Sequence, residues 1–366
     1  MLMLCWSAMR RTSSASLPTS TAPASVTGDA AVAEQATNND FSRDAALRNV
    51  DAMITAALFA VTLNAGAAPR DLSVELKRAN KALAAHDYGL AYKEYARVAA
   101  GNPLAQFNLG LIEREGWGRP RDAVAACAWF GKAAQGKTPA AQQFFGDCLT
   151  AGTGRAADGK AAVAWYQKAA QSGIAYANCS AGELYIRGQV VDKDVARGLA
   201  LCAQAAHAGS APAMLRLADY YKDDQDVPQD LAAARYWYQQ AAEHRLVVAQ
   251  YRLGVMLGQG EGGAANLALA LFWLEHAASE GYAPAYLPVA ILYGNSAPDP
   301  ATGALTPDSL AKIYMWSRAA KASPSKPADI AEIEGIEQLL QQVMPPQWKP
   351  ELDRRVAEHL DKFTVK

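Results

Sequence analysis

TPAAQQFFGDCLTAGTGRAADGKAAVAWYQKAAQSG, residues 138–173, decides the fold. Ala141, Phe144, Phe145 and Cys148 fall at i, i+3, i+4 and i+7, one apolar face of a helix, and Ala162, Trp165, Tyr166, Ala169 and Ala170 do the same for a second helix. Thr138-Pro139 supplies an N-cap and a proline at the first helical position, while Gly152 and Gly173 stand where helix C-termini favour positive φ. The stretch reads as helix, short turn, helix. Its centre, GRAADGKAA at 154–162, also spells the GxxxxGK of a phosphate loop. Two features argue against a nucleotide: Ala161 stands where a hydroxyl would hold Mg²⁺, and the segment before Gly154 reads as a helix, where a phosphate loop needs a strand.

Working outward, the same unit recurs. The alanines 105, 141, 177, 213, 249 and 285 are spaced by 36 residues, as are Trp129, Trp165, Leu201, Trp237 and Trp273, with Trp316 seven residues late. An Ala-Ala pair marks each unit at 133/134, 169/170, 205/206, 241/242, 277/278 and 319/320. Gly110, Gly146, Gly182 and Gly254 occupy the middle of the first helix, where glycine costs about 1 kcal/mol against alanine, so a neighbouring helix is expected to approach closely there. A lone hairpin of this length cannot cover its own apolar face; stacked neighbours must do so. The expected fold class is therefore all-α, an α/α right-handed superhelix of stacked helix-turn-helix repeats. Residues 72–101 read as an extra N-terminal helix pair, 103–323 as six repeats and 327–366 as C-terminal capping helices.

Ala141, Gln142, Phe145, Gly146, Gly152, Gly154, Asp158, Trp165, Tyr166, Lys168, Ala169, Ala170 and Gly173 follow a pattern that resembles the Sel-1-like repeat of the tetratricopeptide-like superfamily. That resemblance implies adaptor or scaffold work in protein–protein assembly, often in bacterial envelopes. By analogy with tetratricopeptide relatives, a concave wall would be lined by first-helix positions two after the anchor alanine and one after the glycine. These are Phe107 and Leu111, Gln143 and Asp147, Cys179 and Glu183, Leu215 and Asp219, Tyr251 and Val255, Leu287 and Ile291. The expected occupant is a partner peptide or helix with apolar anchors and a basic centre facing Asp147, Glu183 and Asp219. Cysteine-rich relatives have been described as β-lactamases or penicillin binders, which keeps an envelope enzyme as the alternative function. The cysteine pairing those relatives carry, one Cys in the alanine pair and one about eight residues later, is not matched here, because 169–172 contain no cysteine.

Independent signs of chemistry are few. SxxK occurs at Ser323–Lys326, but Pro324-Ser325 places it in a linker and no SDN or KTG follows. The histidines 86, 207, 244, 276 and 359 are spread over different units, without HExxH. The acidic turn KDDQDVPQD, 222–230, lacks the order of a calcium loop, and the lengthened segment 294–310 reads either as an elaborated binding loop or as an inert insertion. No catalytic residue, metal or cofactor is expected. The 35 basic and 36 acidic residues nearly cancel, leaving no footprint for nucleic acid. Cys5, Cys127, Cys148, Cys179 and Cys202 are odd in number and without a CxxC, so most are expected to be buried, small and apolar rather than a disulfide framework. Between Arg11 and Asp40, 17 of 30 residues are Ser, Thr or Ala, and residues 1–52 are expected to be disordered. MITAALFAVTLNAGAA, 53–68, is too short to span a bilayer and resembles a signal-peptide apolar region with its small-residue cleavage site. It begins about 50 residues too late for a start at Met1, so a mis-assigned start or a short buried helix stand as the two explanations. A periplasmic or secreted location is expected, with a cytoplasmic adaptor as the alternative, and no integral membrane span.

Overall fold

The computed structural model describes residues 72–323 and 327–363, and every regular element among them is helical. The expectations for 1–52 and 53–68, and the lysine of SxxK, lie outside the described residues. In chain order the helices are α1 Leu72–Ala84, α2 Tyr88–Val98, α3 Pro103–Glu115, α4 Ala123–Gln135, α5 Pro139–Ala151, α6 Gly159–Gln171, α7 Tyr176–Arg187 and α8 Val195–His207. They continue with α9 Ala211–Asp223, α10 Leu231–Glu243, α11 Val247–Gln259, α12 Leu267–Ser279, α13 Tyr286–Gly294, α14 Pro307–Lys321, α15 Pro327–Val343 and α16 Lys349–Asp361. The helices group into two compact units: residues 72–217 with 225–228, and 218–224 with 229–363.

Local chemistry explains the boundaries. First helices α3, α5, α7 and α11 end on Gly116, Gly152, Gly188 and Gly260, all left-handed, each donating its N–H to a carbonyl four residues back. Second helices α4, α6, α8, α10 and α12 start after Asp122, Asp158, Asp194, Asp230 and Asn266, spaced by 36, and each side chain accepts the N–H three residues on. Asn102 caps α3 through Leu104 and Ala105 N–H, whereas Thr138 takes the equivalent place before α5 without a side-chain cap bond.

In the first unit the anchors Ala105, Ala141 and Ala177 are fully buried, with Tyr95, Leu109, Ile112, Phe130, Phe145 and Tyr166 around them. A Cβ on Gly146 would come within 2.6 Å of the Tyr166 ring, so the mid-helix glycine does admit the following helix. Between α7 and α8 the approach is backbone to backbone: a Cβ on Gly182 would lie 2.4 Å from the Gly198 carbonyl oxygen. The second unit repeats this packing around Ala249, Leu253, Leu274 and Ala285. Tyr286 and Trp316 carry its core on to Ile333, Ile336, Leu340, Trp348 and Leu352 of the C-terminal helices and the turn between them. The lengthened segment 294–310 tucks inward, with Ala304 and Leu305 buried and Asp299 accepting the N–H groups of Ala301 and Thr302.

One expectation is corrected. Cys127 of α4 is bonded to Cys148 of α5, and Cys179 of α7 to Cys202 of α8. All four are buried, as expected, but they are paired as well. Partners 21 and 23 residues apart lie in different columns of the repeat, and only the docking of neighbouring helices brings those columns face to face.

Candidate partner-binding surface

In the first unit, Phe107 and Leu111 do not reach solvent: they are 5% and 1% exposed, and Phe107 lies between the Phe130 and Phe144 rings at centroid distances of 5.8 Å each. Their expected role as partner contacts is therefore corrected to core packing, because the aromatic side chains of α4 and α5 cover them. Cys179 is withdrawn for the same reason, being 1% exposed and disulfide-bonded. Gln143, Asp147, Glu183 and Leu215 keep solvent contact. In the second unit Asp219, Tyr251 and Val255 are half-buried, and Tyr251 lies 5.3 Å from Tyr282 by ring centroids. Leu287 and Ile291 are likewise half-buried against their unit's core.

The three acids differ in their surroundings, which spacing alone did not reveal. Glu183 receives Arg216 Nη2 on both carboxylate oxygens, at 2.7 and 2.8 Å. Asp219 receives Arg252 Nη1 at 3.2 Å and the Tyr238 hydroxyl at 3.1 Å. Asp147 receives the Tyr166 hydroxyl at 2.7 Å and no ion pair among the described residues. It presents area to solvent yet is surrounded closely by protein, and desolvation lifts its carboxyl to about 6 against the opposing Tyr166 hydrogen bond and the Arg114 charge. Of the three acids expected to face a basic partner, Glu183 and Asp219 are ion-paired within the chain and Asp147 is not.

The other expected sites resolve into structure. The carboxylate of Asp158 accepts the Ala161 N–H at the start of α6, where a phosphate would need to sit, and a helix precedes the loop. In the acidic turn Asp226 is bound by Lys193 and by Arg187 at 2.8 Å, which hold its carboxyl below the usual range, and Asp230 caps α10. A recess of about 900 Å³ beside that turn includes Lys193 and Arg197 in its lining, but Lys193 is held by Asp226 and Arg197 lies over the Tyr185 ring at 4.3 Å. No group of three potential metal ligands occurs among the described residues, and none of their helices is long and apolar enough to cross a membrane.

Paired helices, left-handed glycine ends and capping Asp or Asn side chains recur every 36 residues, and known proteins share them. The Sel1 repeat model matches residues 103–137, 139–174, 175–210, 211–245 and 247–282. Residues 103–282 are five Sel1 repeats. The pair α13–α14 follows the last matched Sel1 repeat and continues the alanine and tryptophan columns through Ala285, Trp316 and Ala319-Ala320. A search of curated proteins finds no match. Among solved structures, this Sel1-repeat chain is similar to a Sel1 repeat protein from Oxalobacter formigenes, at 26% identity and a TM-score of 0.51, covering 68% of this chain and all of that one. It is also similar to a protective antigen of uropathogenic Escherichia coli with an SLR fold, at 28% identity and a TM-score of 0.51, over 78% of this chain and 60% of that one.

Proposed function

We propose that the protein is a non-catalytic interaction scaffold whose first-helix wall receives a peptide or helix of a protein partner in the periplasm or outside the cell. The observation that carries this reading is a contrast between columns. Anchor alanines 105, 141, 177, 213, 249 and 285 are fully buried, and they are the same residue in every unit. Gln143, Leu215 and Tyr251 keep solvent contact and change character from unit to unit, and beside them Asp147, Glu183 and Asp219 keep solvent contact as acids before the column turns apolar at Val255, so burial does not dictate either column. Positions that a repeat fold leaves open and varied are where recognition is written. Two buried disulfides support an oxidising compartment.

A photo-crosslinking residue at Leu215 or Tyr251 should trap one partner in the native organism, while the same residue at exposed Val124 should not. Trapping from Val124 alone would place the partner on another face. Turnover of nitrocefin that survives re-purification would remove the non-catalytic reading. Protein from the native organism, alkylated under denaturing conditions before reduction, should leave Cys127, Cys148, Cys179 and Cys202 unmodified, and four alkylated thiols would argue for a reducing compartment.

A further inference from the structure

The wall is built of rungs. Each residue one after the small mid-helix position has a mate 33 residues on, three after the next anchor alanine. The pairs are Leu111 with Phe144, Asp147 with Ser180, Glu183 with Arg216, Asp219 with Arg252 and Val255 with Pro288. Four rungs are matched in character: in the first unit Leu111–Phe144 is apolar with apolar and Glu183–Arg216 acid with guanidinium, and in the second Asp219–Arg252 is acid with guanidinium and Val255–Pro288 apolar with apolar. At Asp147 an acid meets a serine.

That rung has no ion pair among the described residues. Ser180 Oγ accepts the Gln143 side-chain amide at 2.9 Å, and Asp147 takes only the Tyr166 hydroxyl. The nearby Arg114 is held elsewhere, its Nε on Glu115 at 2.6 Å and its guanidinium over the Phe144 ring at 4.3 Å. A second observation points the same way. Gln143 lies one helical turn before Asp147 on the same face of α5, and its Oε1 is buried without a hydrogen-bond donor. An exposed carboxylate with no ion pair of its own asks for a guanidinium, and the buried Gln143 amide oxygen, without a donor, lies one turn away on the same face. A single carboxylate with neutral oxygens is a poor cage for a divalent ion, and the sister rungs show which group the geometry accepts.

We propose that Asp147, with Gln143 beside it, is the seat for an arginine side chain of the partner, supplied from outside at the one rung where the chain does not supply its own. This rests on the reading of the first-helix wall as the partner face, and the test separates the two. In the full-length protein the Asp147 carboxyl ¹³C signal, assigned with Asp147→Asn, is followed while Nα-acetylated argininamide or the uncharged Nα-acetylated citrullinamide is added. Argininamide should give a saturable shift and citrullinamide none. Ser180→Arg, which supplies the guanidinium from within the chain, should abolish the response while leaving the helical circular dichroism unchanged. No response to argininamide, or a response undiminished in Ser180→Arg, overturns the seat. In a second arm, fluorescent apolar 12-residue peptides with one central arginine or citrulline are bound to both proteins. The arginine peptide should bind the natural protein about tenfold more tightly, and the two should bind Ser180→Arg alike. Equal affinities on the natural protein overturn the seat and leave the wall reading intact. An Asp147 response to argininamide without peptide binding upholds the seat and counts against the wall as a peptide groove.

Discussion

Val190 holds a φ of 55° in the column where Gly118, Gly154 and Gly262 hold 66°, 71° and 69°. A β-branched residue is strained in that left-handed conformation, and at 43% exposure its side chain recovers little by burial. Val190→Gly should raise stability by about 1 kcal/mol in urea unfolding, the relief of strain exceeding the entropy that glycine adds to the unfolded chain. Its carbonyl oxygen explains Gly159: a Cβ there would sit 2.0 Å from it, so Gly159→Ala should destabilise by about 1–3 kcal/mol. Asp147 gives the pH signature. Its carboxyl titrates near 3.8 in the unfolded chain and at about 6 in the folded one, so the native state binds the proton more tightly. Its contribution is present below pH 4 and is lost as pH rises to 6, with Tyr166 and Arg114 the groups that act on it and Glu183 acting on Tyr166. The stability gain of Asp147→Asn over the natural protein should therefore be larger at pH 7 than at pH 4.5. Equal gains at the two pH values would show that the carboxyl is not desolvated.

At the scale of the helix, the repeat is held by its starts and its stops. Asp122, Asp158, Asp194, Asp230 and Asn266 each take an otherwise unbonded N–H, and replacing one by alanine should cost about 1 kcal/mol. Asp158→Ala should open the start of α6 to hydrogen exchange and leave α4 protected, because repeats unfold as local units. Helix positions, glycine ends and the capping aspartate of 158 were legible in the sequence because they depend on residues three or four apart. Burial of Phe107 and Leu111 was not legible: it depends on Phe130 and Phe144 arriving from the next two helices.

At the scale of the molecule, both disulfides lie in the unit made of 72–217 and 225–228. Each closes a loop of just over 20 residues, for which about 3 kcal/mol of stabilisation is typical. Reduction should therefore lower the thermal transition of that unit and leave that of residues 229–363 in place. A single transition moving as one would mean that the two units unfold together. The period of 36 residues, the helical class and the columns of the repeat were determined by the sequence alone, since hydrophobic spacing and turn residues act along the chain. Which cysteines pair, which wall residues are buried and which acids carry their own arginine were decided only by the tertiary structure. Those contacts join residues 21 to 37 apart, where the stacking of one helix on the next sets the distance.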